Sequence, residues 1–211
     1  MDVEVLKRVI ESQREEIEEK FAAEEIIERD GLELAKSYLS FPNILVILGI
    51  RRSGKSIFSI LLANSLKQKA AYINFVDERL ISIKTEDLDR VLQAFYELYG
   101  DAEFIILDEI QQVHGWELFA NRIRRTKRAI ITGSDSKLLR GELATHLTGR
   151  HIDFLLYPFS FTLLPSIANL PLMKTFTLVP DLTNAKWYQI LSLIRVESRV
   201  APQTSPPPLK Y

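Results

Sequence analysis

The chain has 211 residues, and its 27 basic and 28 acidic side chains give a formal net charge of -1. Near-neutrality excludes a strongly cationic protein that binds nucleic acid through bulk charge, although it leaves room for a local basic patch. The sequence contains no cysteine, which excludes disulfides, zinc-thiolate sites and thiol catalysis and suits a reducing compartment. The N-terminus is acidic and lacks the apolar segment of a signal peptide, and prolines interrupt the longest apolar stretch. We therefore expect a cytoplasmic protein with no membrane partner.

The first 40 residues are interpreted as an N-terminal helical arm. Apolar residues recur there at spacings of three, four or seven and so predict one face of a helix: Val3, Leu6, Ile10, Ile17 and Phe21. A short second helix is expected over about 31–39. Two interpretations of the arm stay open, a solvated helix laid against the core or a docking arm for a partner or a neighbouring subunit.

Beyond residue 40, short apolar runs alternate with helical stretches, which is typical of an α/β fold with a parallel sheet covered on both faces. Predicted strands cover 43–48, 71–76, 104–107, 128–132 and 152–157, and predicted helices cover 56–69, 86–99, 116–126 and 136–147. The alternation stops near residue 161. We therefore divide the chain into the arm (1–40), an α/β core (41–162) and an atypical tail (163–211). The tail holds seven of the nine prolines but only seven charged side chains.

The strongest motif lies between the first predicted strand and the helix that follows it. Residues 49–56 read Gly-Ile-Arg-Arg-Ser-Gly-Lys-Ser and fit the pattern G-x-x-x-x-G-K-[ST] of a phosphate-binding loop. Glycines let the backbone approach phosphate closely, so that loop N–H groups and the helix N-terminus face the anion. We expect Lys55 to reach the β- and γ-phosphates and the Ser56 hydroxyl to hold Mg²⁺. The candidate nucleotide-binding residues are Gly49, Ile50, Arg51, Arg52, Ser53, Gly54, Lys55, Ser56 and Ile57.

A second motif follows the third predicted strand. The run Phe-Ile-Ile-Leu at 104–107 leads directly into Asp108 and Glu109. Ligands of an open parallel sheet bind at the carboxyl ends of its strands, so this acidic pair is expected to face the phosphate loop. Asp108 is suited to Mg²⁺, which prefers hard oxygen ligands, and Glu109 is suited to orient or deprotonate an attacking water.

Two further strand ends carry polar side chains. Thr132 ends the fourth predicted strand and Ser134 follows it, where a hydroxyl would hydrogen-bond the γ-phosphate or the attacking water. A polar turn or helix cap at this point is almost as good an explanation. Asp77 and Glu78 follow the second predicted strand; capping of the turn is the first explanation for them, and a supporting role in the active site is the alternative.

These stretches together resemble the predicted AAA+ ATPases abundant in archaea, over about residues 5–161. The resemblance extends to the segments at 72–75, 107–117, 147–150 and 157–161, which read YINF, LDEIQQVHGWE, LTGR and YPFSF. It implies a three-layer P-loop fold of AAA+ type with five parallel strands in the order 5-1-4-3-2. It also implies ATP as the nucleotide, Glu109 as the catalytic glutamate, and Thr132 or Ser134 as the polar sensor residue.

Ring-forming ATPases commonly supply an arginine in trans to the γ-phosphate. Arg150 matches the family's Leu-x-Gly-Arg position and is the first candidate for this role in a homo-oligomer, ahead of Arg140 and Arg124. An ordinary surface charge is the alternative for each of them. The stretch 117–151 also carries an excess of basic side chains, so a nucleic-acid backbone is an alternative partner, although interleaved aromatic residues are lacking.

Resemblance, charge and periodicity are all lost after about residue 161. We expect the chain to be truncated or to have an altered reading frame there, and the lid that covers adenine in AAA+ proteins cannot be assigned. The sequence thus predicts Mg²⁺-dependent binding and hydrolysis of ATP, with slow turnover for the chain alone. The alternative is a nucleotide-binding switch or assembly module with negligible hydrolysis, for which DNA is a conceivable partner.

Overall fold

Five strands alternate with helices along the chain, as the sequence predicts. The strands of the computed structural model are β1 (Ile44–Leu48), β2 (Ala70–Asn74), β3 (Phe104–Asp108), β4 (Arg128–Gly133) and β5 (His151–Leu155). The α-helices are α1 (Val3–Ala23), α2 (Leu32–Tyr38), α3 (Lys55–Ser65), α4 (Leu88–Tyr99) and α5 (Trp116–Ile123). Short 3-10 helices span Glu78–Leu80, Thr85–Asp87 and Ile110–Gln112.

The structure describes residues 1–23, 29, 31–66, 69–133 and 147–158. The predicted helix over 136–147 lies outside these ranges except for its last residue, as do Ser134 and Arg140. The predicted tail (163–211) also lies outside them, together with the last residues of the predicted core.

All pairings in the sheet are parallel, and the strands lie in the order β2-β3-β4-β1-β5. Read from the other side, this is the expected order 5-1-4-3-2, so the predicted fold class is confirmed. The order puts β4 between β1 and β3. The carboxyl ends of these three strands therefore meet at one edge of the sheet, which is where ligands of open α/β sheets bind.

Both faces of the sheet are covered, because alternate residues of one strand enter different apolar clusters. Ile44, Val46 and Leu48 of β1 pack in one cluster, which also contains the buried face of α1 and Trp116 of α5. The intervening residues of β1 pack in the second cluster with Phe58 of α3. This two-sided burial, with a period of two along the strand, gives the three layers that the sequence predicts.

The long helix α1 lies against α4 and the edge strand β2. Its buried side chains are Leu6, Val9, Ile10 and Gln13. Leu6 and Ile10 belong to the predicted apolar face, whereas Ile17 and Phe21 farther along the helix are only partly buried. The first half of α1 is therefore part of the core, and its second half leaves the core toward the carboxyl edge of the sheet. In the described ranges no helix combines the length and apolarity that crossing a bilayer requires.

Candidate nucleotide-binding site

The phosphate loop connects β1 to α3 and turns sharply at two points. Ser53 N donates to Ile50 O at 3.1 Å, and Arg52 and Gly54 both have positive φ, 68° and 87°. Successive left-handed and right-handed residues of this kind turn backbone N–H groups toward one concave surface. The hydroxyl of Ser53 is buried and lacks a hydrogen-bond partner among the described residues. An unsatisfied buried donor in such a loop fits an anionic ligand.

Gly49 packs too closely for any side chain. A Cβ there would lie 2.4 Å from the carbonyl oxygen of Leu156 and 2.7 Å from Ser53 Oγ. The chain after β5 therefore braces the start of the loop, and Leu156 N also donates to Leu48 O at 2.7 Å. The first glycine of the motif is required by this close approach, since its own φ is not positive.

Lys55 is the first residue of α3, and its side chain folds back over the loop. Nζ donates to the carbonyl oxygens of Gly49 and Ile50 at 3.0 and 3.1 Å. It also lies 3.9 Å from Glu109 Oε1. The lysine is 6% exposed, so its charge is held close to the loop and to the acidic pair.

Asp108 ends β3 and is completely buried. The Thr132 hydroxyl donates to Oδ1, and the Tyr72 hydroxyl donates to Oδ2 at 2.7 Å. Burial and the neighbouring Asp108 carboxylate raise the pKa of the Tyr72 hydroxyl, which therefore stays protonated and remains a donor. Each carboxylate oxygen keeps a second lone pair, so Asp108 is oriented and still able to accept.

Glu109 has a left-handed backbone with φ 55°, a conformation that costs a residue with a Cβ roughly 1–2 kcal/mol. Its N–H donates to the carbonyl oxygen of Thr132 at 3.1 Å and to the Thr132 hydroxyl at 3.2 Å. Its carboxylate accepts from the Gln111 amide and is partly exposed. The turn at Glu109 thus directs the chain away from β3 and leaves the carboxylate next to Lys55.

A cleft of about 600 Å³ lies at this edge of the sheet, and the buried Asp108 and Thr132 are not among its described lining residues. Ser56 lines it together with Lys55 and Glu109. The Ser56 hydroxyl and the Asp108 carboxylate are hard oxygen donors from the start of α3 and the end of β3, so they suit Mg²⁺ with waters completing its shell. The remaining lining residues are Gln13, Glu16, Ile17, Lys20, Arg51, Arg52, Gly54, Ile57, Ile60, Tyr72, Asn74, Val76 and Asp77.

The cleft wall opposite the loop is formed by α1, which the sequence did not associate with the site. Gln13 anchors this wall. Its Oε1 accepts from Asn74 N at 2.9 Å, and its Nε2 donates to Asn74 O at 3.1 Å and to Asp77 Oδ2 at 2.8 Å. Since β2 is an edge strand, Gln13 takes the place of a neighbouring strand at Asn74. The sequence did carry a signal for this contact. Gln13 is a polar residue within the predicted apolar face, three residues after Ile10 and four before Ile17.

Asp77 caps the 3-10 helix Glu78–Leu80, as expected from the sequence. It accepts from Arg79 N at 3.0 Å and pairs with the Arg79 guanidinium at 2.7 Å. These bonds lower the pKa of Asp77 to about 2; burial opposes the shift, and the Gln13 amide adds to it. The ion pair fixes the turn against which α1 docks.

The predicted sensor and arginine residues fall in different places. Thr132 lies in the site between Asp108 and Glu109, whereas Ser134 is outside the described residues. Arg150 precedes β5, and its carbonyl oxygen accepts from Ile44 N at the opposite edge of the sheet. A five-residue strand at about 3.3 Å per residue separates that edge from the loop, so Arg150 does not reach the site of its own chain.

Four basic side chains of the stretch 117–151 have partners within the part of the chain that the structure describes. Arg122 pairs with Asp89 and Lys127 with Asp101. Arg124 and Arg128 donate to backbone carbonyl oxygens just before β1, at 3.4 and 2.7 Å. Nucleic-acid binding through this stretch therefore stays a prediction from charge alone.

Comparison with known proteins agrees with this geometry. A family model described as an AAA domain matches residues 42–164. An uncharacterized protein of Methanocaldococcus jannaschii is 35% identical over 175 residues, covering 77% of this chain and 39% of that protein. An uncharacterized protein of Haemophilus influenzae is 35% identical over 127 residues, covering 56% of this chain and 32% of that protein. The chain thus spans about a third of the length of these relatives.

Among solved structures, AMPPCP-bound DnaA from Aquifex aeolicus is similar with a TM-score of 0.49 and 18% sequence identity. The match covers 82% of this chain and 64% of the DnaA chain.

Proposed function

Since the chain belongs to the AAA domain family and carries a nucleotide-binding P-loop module, we propose that it binds ATP with Mg²⁺ and hydrolyses it. The observation that carries this proposal is the acidic pair at the end of β3. Asp108 is oriented by two hydroxyl donors, and Glu109 lies beside Lys55 at the same sheet edge. The pair thus offers one carboxylate for a metal and a second, partly exposed carboxylate for an attacking water.

Each residue has a distinct role in this mechanism. The loop N–H groups and Lys55 bind the phosphates, and Lys55 exchanges its hydrogen bonds to Gly49 and Ile50 for bonds to the β- and γ-phosphate oxygens. Ser56 and Asp108 would hold Mg²⁺, which would offset the charge of the phosphates. Glu109 accepts a proton from the water whose oxygen attacks the γ-phosphorus, the bond to the β-phosphate oxygen breaks, and ADP leaves. Thr132 keeps Asp108 and Glu109 in place.

A second function, a nucleotide-dependent switch with negligible hydrolysis, is favoured by one observation. The Glu109 carboxylate accepts from Gln111 and faces Lys55 at 3.9 Å, so both groups are engaged with protein partners. A general base in that arrangement must first release these contacts. In this version, nucleotide binding itself breaks the Lys55 contacts and changes the turn at Glu109, and partner recognition follows.

Nucleotide binding and phosphate release measured on the wild type, Lys55→Ala and Glu109→Gln distinguish the two functions. For hydrolysis, Lys55→Ala loses binding, whereas Glu109→Gln binds MgATP and releases no phosphate. Lys69→Ala and Glu103→Gln serve as matched controls, because both residues are exposed and precede the strands at the other edge of the sheet. Equal phosphate release by the wild type and both site variants overturns the proposal, and binding without release by the wild type favours the switch.

A further inference from the structure

The second half of α1 presents one continuous stripe to the nucleotide cleft. Gln13, Glu16, Ile17 and Lys20 all line the cleft. They stand at i, i+3, i+4 and i+7, which is the spacing of one helix face. The same face is apolar in the first half of α1, where it packs into the core, and becomes polar where it reaches the cleft.

The stripe is fixed in position rather than loosely apposed. Leu6, Val9 and Ile10 bury the first half of α1, and the three hydrogen bonds of Gln13 set its register on the end of β2. Lys20 follows Gln13 by seven residues, so its Cα stands about 10 Å farther along the helix axis. Lys20 lines the cleft from that point.

The charge of Lys20 is available for a ligand. Its sequence neighbour on the stripe, Glu16, pairs with Arg79 at 3.8 Å instead. Lys20 itself forms no hydrogen bond or ion pair with any other residue that the structure describes. An exposed ammonium that faces a cleft containing a phosphate loop is an anion-binding group by its chemistry.

The position of the stripe indicates which phosphate Lys20 meets. The cleft wall shared with α1 also contains Tyr72, Asn74 and Glu109, which belong to β2 and to the end of β3. The stripe and the Glu109 carboxylate therefore line one cleft. In the proposed hydrolytic site Glu109 lies beside the water that attacks the terminal phosphate, so the stripe shares its cleft with that phosphate.

We propose that Lys20 is a nucleotide-binding residue that contacts the terminal phosphate of ATP from the chain's own N-terminal helix. The inference rests on the proposed nucleotide binding. It assigns to α1 a role in distinguishing the triphosphate from the diphosphate, because only the triphosphate places a charged group next to the stripe. The interaction is internal to one chain and so does not depend on protein concentration.

The test measures the affinity of the full chain for a non-hydrolysable ATP analogue and for ADP, both with Mg²⁺, by titration calorimetry. The variants are Lys20→Gln, Lys20→Arg and the matched control Arg8→Gln, which removes an exposed positive charge from α1 outside the cleft. Lys20→Gln is expected to lower the affinity for the triphosphate analogue about tenfold and the affinity for ADP less than about twofold. Lys20→Arg restores most of the loss, and Arg8→Gln changes neither affinity.

The outcomes separate this inference from the proposed function. If the wild type binds neither nucleotide, the proposed function fails and the inference fails with it. If the wild type binds both but Lys20→Gln behaves like Arg8→Gln, or weakens both nucleotides equally, only the inference is overturned. Unchanged melting temperatures of the Lys20 and Arg8 variants establish that the helix still folds, and Gln13→Leu provides an independent variant. By undocking the stripe, Gln13→Leu is expected to reduce the preference for the triphosphate in the same direction as Lys20→Gln.

Discussion

The Tyr72 hydroxyl donates a 2.7 Å hydrogen bond to Oδ2 of Asp108, so the edge strand β2 orients a carboxylate that belongs to β3. The Thr132 hydroxyl of β4 holds the other oxygen. Three neighbouring strands thus determine the direction of one buried side chain. In the proposed site this direction determines how well the Asp108 carboxylate fits the coordination geometry of Mg²⁺, because Mg²⁺ tolerates little departure from an octahedron.

Replacing Tyr72 by Phe removes this hydrogen bond and little else. We expect the Mg²⁺ concentration needed for half-maximal phosphate release to rise several-fold, while nucleotide binding without Mg²⁺ is unchanged. Stability should fall by about 1 kcal/mol, the usual value of one hydrogen bond. Tyr96→Phe is the control, because Tyr96 is exposed on α4 away from the cleft. An unchanged Mg²⁺ requirement in Tyr72→Phe would show that Thr132 alone orients Asp108.

Gly49→Ala is expected to abolish nucleotide binding and to destabilise the fold by about 1–3 kcal/mol, since the new methyl group would overlap the Leu156 carbonyl and Ser53 Oγ. Gly100→Ala provides the comparison. Gly100 has a positive φ of 69° and open space around it, so alanine there strains the backbone without touching the loop. Thermal unfolding and nucleotide titration together should show loss of stability in both variants and loss of binding in Gly49→Ala alone.

The lowered pKa of Asp77 predicts that the stability of the fold depends on pH. Its folded-state pKa of about 2 lies below the ordinary value of 3.8, so its contribution is complete above about pH 4 and is lost as the pH falls toward 2. Asp77→Asn should therefore melt at a lower temperature than the wild type at neutral pH, and the difference should close between about pH 4 and about pH 2. Glu78→Gln, an exposed neighbour, should show no such convergence. A difference in melting temperature between the wild type and Asp77→Asn that persists at the lowest pH would contradict the lowered pKa of Asp77.

Arg150 is expected to act only between chains, because it lies at the sheet edge opposite its own phosphate loop. If a homo-oligomer forms, Arg150→Ala should reduce hydrolysis on the order of 10³-fold without reducing nucleotide affinity. Mixing Arg150→Ala with Glu109→Gln should restore activity, since one variant supplies the intact acidic pair and the other supplies the arginine. Arg124→Ala, the other described candidate at the same edge, is tested in the same way. Failure of the mixture to recover activity would exclude the trans role.

The fold and the central part of the site were predictable from the sequence because their signals are local. Continuous apolar runs of strand length identified β1 and β3, and the motif from Gly49 to Ser56 required a strand before it and a helix after it. The proximity of Asp108, Glu109 and Thr132 was predictable since each lies at or next to the carboxyl end of a strand of one parallel sheet. Tyr72 was not, because a polar group within a strand gives no indication of which neighbour it contacts.

The sequence by itself determined the order of the elements, the phosphate loop and the acidic pair, since these depend on residues that are close along the chain. Only the tertiary structure decided where α1 lies. An apolar face shows that a helix is covered but not by what, and the contact that sets its register joins Gln13 to Asn74 across 61 residues. That pairing depends on β2 being an edge strand with free backbone groups, which is a property of the assembled sheet. The arm therefore became a wall of the nucleotide cleft only when strand order and helix packing were known together.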